Sequence, residues 1–197
     1  ICPLINASGR MGRADIGVSL FLEEDPARIA SLADELVSLN KKRRSLGENL
    51  WEKLRPRAYE SLEELGGRMT IVADAETPRG ITGILATRLQ KTLDAAAVVV
   101  ALQGEQASGS IRCDNGMNAL NWLESMGDLM DDFGGHPQAG GFRIRTAKLD
   151  ELSRRTAAWL KKTGHAPVEP EVIRIDAELS HEQITRLGQS GLDSILE

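Results

Sequence analysis

The chain has 197 residues, of which 41% are hydrophobic and 27% are charged, and this balance is typical of a globular rather than a disordered protein. Its formal net charge of −5 excludes a globally basic surface, so contact with a polyanion must depend on local patches of positive charge. Aromatic residues make up 4% of the chain, which argues against a surface built mainly from rings that stack on bases.

The first 22 residues contain a stretch of small residues, Asn-Ala-Ser-Gly-Arg at positions 6–10, which we interpret as a loop. Small residues leave backbone N–H groups accessible, and the guanidinium of Arg10 beside them suits a phosphate. The spacing alone favours a simpler interpretation, in which the arginine pairs with a neighbouring carboxylate.

A long helix is predicted next. Asp25 followed by Pro26 is a strong helix start, because the aspartate can cap the backbone and proline fits the first helical position. Apolar residues then recur at helical spacing for about eight turns. Pro56 is expected to stop or kink this helix, and a second short helix is expected to end at Gly66 and Gly67. We therefore predict a helical linker over residues 23–66.

Strands and helices alternate between residues 67 and 165. The predicted strands are 69–73, 95–102, 108–113 and 141–144, and the predicted helices are 80–93, 117–133 and 149–162. This alternation predicts an α/β fold, in which a compact domain with a mixed β-sheet flanked by helices follows the long helix. Residues 166–197, with a predicted strand at 172–177 and a short helix at 181–187, are interpreted as the start of a further domain.

One candidate site lies on the predicted strand 108–113. Strand alternation puts Ser110 and Arg112 on the same face, opposite Ile111. A hydroxyl beside a guanidinium can bind a phosphodiester, but the same pair also suits an ordinary solvent-exposed face.

A second candidate site follows the predicted helix that ends at Phe133. There Gly134 and Gly135 are expected to form a loop that presents His136. Backbone with so few side chains allows close approach of a neighbouring strand or of a ligand. In the functional interpretation, the imidazole contacts an anionic oxygen of that ligand.

The sequence contains no complete catalytic centre. The three histidines have no cysteines or carboxylates around them at metal-ligand spacing, and no nucleophile elbow, phosphate loop or dinucleotide fingerprint is present. Cys2 and Cys113 form no CxxC pair, which indicates a reducing compartment, and no apolar run is long enough to span a membrane. We therefore expect a cytoplasmic protein without membrane contact. Both ends look cut, so we expect a fragment of a longer protein.

Six segments, taken in order, resemble the RecJ family of single-strand-specific 5′→3′ exonucleases, within the DHH phosphoesterase superfamily. They are residues 6–10, 39–43, 80–89, 109–113, 133–142 and 175–179. The segment Phe-Gly-Gly-His-Pro-Gln-Ala-Gly-Gly-Phe, for example, is similar to the family's Phe-Gly-Gly-His-x-x-Ala-Ala-Gly-Phe. The chain departs from the family at Thr77-Pro78-Arg79, where a Trp-His pair is usual, at Cys113, which replaces a serine, and at Gly140, which replaces an alanine.

The resemblance implies a division of the chain and a role for its residues. Residues 1–22 would be the tail of a DHH catalytic domain, 23–66 the linker, 67–165 a DHH-associated substrate-binding domain, and 166–197 the start of an OB-type barrel. The implied nucleic-acid- or phosphate-binding residues are Asn6, Gly9, Arg10, Ser110, Arg112, Gly134, Gly135 and His136. His136 is also the implied catalytic residue, through contact with the scissile or a neighbouring phosphate.

The resemblance further implies the cofactor and the partners. Mn²⁺ or Mg²⁺ would be held by the DHH domain and not by this chain, so this chain alone is expected to be inactive. Single-stranded DNA is the expected substrate, with the DHH domain and the rest of the barrel as partners in cis. Two alternatives remain open: a phosphodiesterase of the same superfamily acting on oligonucleotides or cyclic dinucleotides, and a non-catalytic nucleic-acid-binding module.

Overall fold

The computed structural model describes residues 1–113, 116–163 and 178. The α-helices in this part of the chain are α1 (Cys2–Arg10), α2 (Ala14–Leu22), α3 (Pro26–Glu64), α4 (Thr82–Leu93), α5 (Ala119–Ser125) and α6 (Leu149–Thr163). The strands are β1 (Met69–Asp74), β2 (Ala96–Gln103), β3 (Gln106–Arg112), β4 (Met130–His136) and β5 (Ala139–Arg145). Short 3-10 turns at Arg79–Ile81, Gly127–Leu129 and Thr146–Lys148 precede α4, β4 and α6.

The first two helices pack against the first half of α3. The buried side chains in this contact are Ile16, Leu32 and Leu36. The loop predicted at residues 6–10 is wrong, because these residues form the last turns of α1. Their small size has a packing reason: Ser8 is buried, and a Cβ added to Gly17 would lie 3.3 Å from its Oγ. Small side chains on both helices therefore let α1 and α2 lie close together.

Helix α3 begins and ends where the sequence predicts. Oδ1 of Asp25 accepts a hydrogen bond from the N–H of Ala27, and Gly66 and Gly67 adopt positive φ values of 71° and 76° just after the helix. The expected interruption at Pro56 does not divide the helix, which continues as one element of 39 residues. Leu54 and Ala58 are buried on either side of the proline, so packing against the rest of the domain maintains the helix despite the missing N–H.

The five strands form one mixed sheet in the order β1-β2-β3-β5-β4. The neighbours β1 and β2 are parallel and are joined through α4, whereas the other three pairs are antiparallel. Strand β2 is buried from Ala96 to Ala101, because helices cover both of its faces. The predicted α/β architecture, a long helix followed by a mixed sheet flanked by helices, is confirmed.

Each face of the sheet has its own hydrophobic core. On one face, the second half of α3 packs with α4 over β1 and β2. On the other face, α5 and α6 surround Trp122, whose Nε1 donates to Oγ1 of Thr156 at 3.1 Å and whose ring meets Phe142 edge-on at 5.7 Å. Strand β4 forms the edge of the sheet, and all its residues after Met130 are exposed. The α4 face of the sheet is therefore open to solvent at β4, and functional side chains can lie there.

The helix predicted over residues 117–133 is only partly present. Asn118 caps α5 through its Oδ1, the helix ends at Ser125, and the chain enters β4 at Met130. Pairing with β5 outweighs the apolar helical spacing, because it gives hydrogen-bond partners to backbone N–H and C=O groups of β4. Gly134 and Gly135 also disfavour a helix here, since glycine is a poor helix former.

Two expectations lie outside the described residues: the strand at 172–177 and the helix at 181–187, with the domain that they were expected to open. Among the helices that the structure describes, none combines the length and the apolar character needed to cross a bilayer.

Candidate functional site

Ser110 is hydrogen-bonded to Thr82 at the beginning of α4. It lies on the face of β3 opposite the buried Ile111, as strand alternation predicts. Its hydroxyl oxygen is 2.8 Å from that of Thr82, and the Thr82 hydroxyl donates to the carbonyl oxygen of Arg79 at 2.9 Å. Because each hydroxyl has one proton, Ser110 is the donor to Thr82 in this arrangement.

Arg112 points to the same end of α4. Its Nη1 donates to the carbonyl oxygen of Ile111 at 2.8 Å, and a Cβ added to Gly83 would lie 2.8 Å from its Nη2. Burial lowers the pKa of Arg112, and the positive charge of Arg10 lowers it further. Within the described ranges, no carboxylate forms an ion pair with this half-buried guanidinium. A partly buried cation without a counter-ion is a favourable place for an anionic ligand.

Arg10, the last residue of α1, also lies at the start of α4. Its Nη1 donates to the carbonyl oxygen of Gly80 at 3.2 Å, and a Cβ added to Gly80 would overlap the carbonyl oxygen of Arg10. Glycine is therefore required at position 80 for the end of α1 to pass against it. No side chain in the described part of the chain caps the N-terminus of α4, where the helix dipole adds partial positive charge.

Three rows of residues cross the sheet beside this cluster of positive charge. Strand pairing aligns Ser110, Gly141 and Gly134 in the middle row. The two flanking rows are Arg112–Ala139–His136 and Ser108–Arg143–Asp132. Two of the three positions in the middle row have no side chain, so the floor of the surface is bare backbone there. We refer to the three rows together as the glycine trench.

His136 lies at one corner of the glycine trench and is exposed. It is two strands away from Arg112 in the same row, which corresponds to about 10 Å between their Cα atoms. The imidazole is therefore on the same surface as Arg112, as expected. The expected loop is wrong: His136 ends β4, and the hairpin turn is formed by Pro137 and Gln138.

The two glycines before His136 differ in what surrounds them. A Cβ added to Gly135 would lie 2.5 Å from the Cα of Gly140, whereas a Cβ added to Gly134 would meet no atom within 4 Å. Gly135 thus serves the close approach of a neighbouring strand, which is one of the two reasons considered from the sequence. Gly134 has no such requirement among the described residues and faces open space in the trench.

A cavity of about 360 Å³ opens over the trench, between the start of α4 and strands β4 and β5. Arg79 and Thr82 line it on the α4 side, and Asp132 and Arg143 line it on the other side, where they form an ion pair of 3.3 Å. None of these four residues was selected from the sequence. Strand alternation around Arg143 was the available signal, but the register between β4 and β5 is visible only in the structure.

The remaining predicted residues, Asn6 and Gly9, lie on α1. Both line a cavity of about 430 Å³ between α1 and α2, and Gly9 also borders the space between Arg10 and Gly80. The structure therefore brings Arg10, Ser110 and Arg112 together, with His136 and Gly134 across the trench. Asn6 lies one turn before Arg10, on the side facing α2.

Among the described residues, no group of three or more His, Cys, Asp or Glu side chains is arranged to hold a metal ion. Of the described side chains around the trench, most are cationic or hydroxylic, and the carboxylate among them, Asp132, is paired with Arg143. These residues do not fit a divalent cation, and their chemistry suits an anion instead.

Comparison with known proteins identifies the domain. The DHHA1 domain family matches residues 66–162, from the end of α3 to the end of α6. The single-stranded-DNA-specific exonuclease RecJ of Bacillus subtilis is 33% identical over 159 residues, which cover 79% of this chain and 20% of the relative. The chain belongs to the RecJ family.

Solved RecJ structures share the fold described above. RecJ of Thermus thermophilus in complex with Mn²⁺ superimposes with a TM-score of 0.73 at 31% identity, over 83% of this chain and 24% of that one. RecJ of the same organism in complex with Mg²⁺ gives a TM-score of 0.76 at 29% identity, over 93% and 29%. This RecJ family chain thus spans about a fifth to a third of the length of the relatives that it matches.

Proposed function

We propose that this chain is the substrate-binding portion of a RecJ-like 5′→3′ exonuclease for single-stranded DNA, whose divalent metals are held on another domain. Residues 1–22 would belong to the edge of that domain, and 67–165 would form the DHH-associated domain. The observation that carries the proposal is the half-buried guanidinium of Arg112 next to Arg10 and the start of α4, without a carboxylate partner in the described part.

Each residue of this group has a definite task in the proposal. Arg112 and Arg10 bind phosphate oxygens, because guanidinium groups donate to phosphate with two parallel hydrogen bonds. The Ser110 hydroxyl turns from Thr82 towards the phosphate, while Thr82 keeps its own bond to the carbonyl of Arg79. These contacts position the DNA backbone and do not read its sequence.

The bare middle row of the trench explains how a strand of DNA can lie close to the sheet. With no side chain at Gly134 and Gly141, a phosphodiester can approach the backbone between the row of Arg112 and the row of Arg143. His136 then contacts a neighbouring phosphate at the other end of its row, through a ring N–H.

A binding experiment tests the proposal. The 197-residue chain is titrated against a fluorescent, 5′-phosphorylated oligothymidylate of about twelve nucleotides, within the usual site size of single-strand binders. We expect Arg112→Gln to weaken binding roughly tenfold and His136→Ala to weaken it by a smaller factor. The matched control is Lys162→Gln, which removes an exposed charge from α6 on the opposite face of the sheet.

A nuclease assay with Mn²⁺ provides the second part of the test. We expect no hydrolysis by this chain alone, because its described residues do not fit a metal centre. Hydrolysis that survives His136→Ala, or binding that Arg112→Gln and Lys162→Gln reduce equally, would contradict the proposal. Tighter binding of a cyclic or linear dinucleotide than of the longer strand would favour the dinucleotide phosphodiesterase instead.

A further inference from the structure

The backbone of Arg79 is restrained by its neighbours. Its carbonyl oxygen accepts a hydrogen bond from Thr82, and the next residue, Gly80, is fixed against Arg10 by a hydrogen bond and by direct backbone contact. Pro78 precedes it with φ −66° and ψ 142°, so the backbone is restrained on both sides. The Arg79 side chain is nevertheless exposed, and within the described residues it makes no ion pair or hydrogen bond.

The same side chain borders two separate cavities. One is the cavity of about 360 Å³ over the glycine trench, where Arg79 lies beside Thr82 and Ser110. The other, of about 540 Å³, lies between the end of α1 and the connection from β1 to α4, where Arg79 lies beside Arg10 and Gly80. Among the described lining residues, Arg79 is the one that the two cavities share.

The charge around the two cavities is unbalanced. Of the described residues that line the second cavity, Arg10 and Arg79 are charged and none is an aspartate or glutamate. In the first cavity Asp132 is already paired with Arg143 at the far side. Among the described residues, Arg79 and Arg10 therefore have no carboxylate partner at the second cavity, and Arg10 lies close enough to Arg112 to affect its charge.

We propose that the two cavities are consecutive phosphate subsites and that Arg79 bridges them. The inference deepens the proposed function and rests on it. In this arrangement Ser110 binds one phosphate in the first cavity, assisted from outside its lining by Arg112 on the same face of β3. Arg10 binds the adjacent phosphate in the second cavity, and the planar guanidinium of Arg79 donates to both. The ligand class is thus a nucleic-acid strand with at least two neighbouring phosphates, for example a dinucleotide with a 5′-phosphate.

Arg79 should act by coupling the two phosphates. Replacing a residue that contacts only one phosphate weakens the binding of every ligand with that phosphate by a constant factor. Replacing a bridging residue weakens binding most when both phosphates are present. The restrained backbone strengthens this effect, because less conformational freedom is lost when the guanidinium binds.

The test compares two ligands that differ by one phosphate. The thymidine dinucleotide with a 5′-phosphate and the same dinucleotide without it are used to displace a labelled oligothymidylate from the 197-residue chain. For the unaltered chain we expect the 5′-phosphate to strengthen binding about tenfold. In Arg79→Gln this gain should fall to about threefold or less, and Arg79→Lys should retain an intermediate gain. The control Lys91→Gln removes an exposed charge nine residues after Thr82, about 13 Å along α4, and should leave the gain unchanged.

The outcomes separate this inference from the proposed function. If the labelled strand binds but Arg79→Gln weakens both dinucleotides by the same factor, only the 5′-phosphorylated one, or neither, Arg79 does not bridge and the inference is overturned while the proposed function stands. If the unaltered chain binds neither the strand nor the dinucleotides, both are overturned. A gain that falls equally in Lys91→Gln shows a general charge effect and also overturns the inference.

Discussion

At the scale of single residues, the absence of side chains at two positions determines the geometry of the site. Gly80 lies just before α4 and Gly83 lies in its first turn, and a Cβ at either position would meet Arg10 or Arg112. The two arginines can therefore approach the helix terminus closely. The sequence marked both glycines as part of a family-like segment, but their contacts with residues 70 and 29 positions away were not visible in it.

Gly80→Ala tests the close approach of α1. The added methyl group would overlap the backbone carbonyl of Arg10, so we expect the free energy of unfolding to fall by about 1–3 kcal/mol, as in other overpacked sites. Urea denaturation measures the change. The control is Gly47→Ala within α3, where no atom lies within 4 Å of the new Cβ, and there we expect a gain of about 0.5–1 kcal/mol. Equal effects of the two substitutions would contradict the account.

Asp74 provides a prediction about pH. Burial alone would raise its pKa, but hydrogen bonds from Lys53, from Thr77 and from the N–H of Glu76 outweigh burial and hold the pKa below its usual value. A lowered folded-state pKa means that this stabilisation is present above the unfolded-state pKa of about 3.9 and is lost as the pH falls through the folded-state value.

The measurement is urea unfolding of the chain and of Asp74→Asn between about pH 7 and about pH 3. It is made in about 0.5 M salt, which screens the exposed pairs of Asp15 and Asp128 whose pKa values are also lowered. We expect the variant to be less stable at neutral pH, and the two curves to converge on acidification. Curves that stay parallel, or convergence that the exposed control Asp34→Asn shows as well, would show that Asp74 is not responsible.

At the scale of elements, the sequence predicted correctly the helices and strands that are determined by residues close together in the chain. The start of α3 follows from the Asp25 cap, and the buried strand β2 follows from its continuous apolar run. Two errors, the loop at residues 6–10 and the helix at 117–133, have a shared cause. In both segments partners distant in the sequence decide the structure: α1 is stabilised by packing on α3, and β4 by pairing with β5.

The contact between α5 and α6 gives a prediction at this scale. Nε1 of Trp122 donates to Oγ1 of Thr156 in the core, so Thr156→Val keeps the shape but leaves a buried N–H without an acceptor. We expect a loss of about 1–3 kcal/mol in the free energy of unfolding, with a change in Trp fluorescence. Thr163→Val, at the exposed end of α6, is the control and should be nearly neutral. A Thr156→Val variant as stable as the control would show that this bond does not hold α6 in place.

At the scale of the whole molecule, an acidic chain carries a local basic surface. The net charge of −5 gave no sign of where a polyanion binds, because arginines far apart in sequence, such as Arg10 and Arg112, meet only after folding. The ordered motifs did identify the family, and they selected most of the residues that the structure brings together. They did not select Arg79, which stands where the chain departs from the family pattern.

The most direct test of the central claim is the salt dependence of single-strand binding. Affinity for the 5′-phosphorylated oligothymidylate is measured between about 50 and about 200 mM salt for the unaltered chain, Arg10→Gln and Arg112→Gln. Each substitution that frees one phosphate from its arginine should reduce the slope of log K against log salt by roughly 0.7, and Lys162→Gln should leave the slope unchanged. Slopes that stay the same in both arginine variants, or that fall as much in Lys162→Gln, would contradict the account.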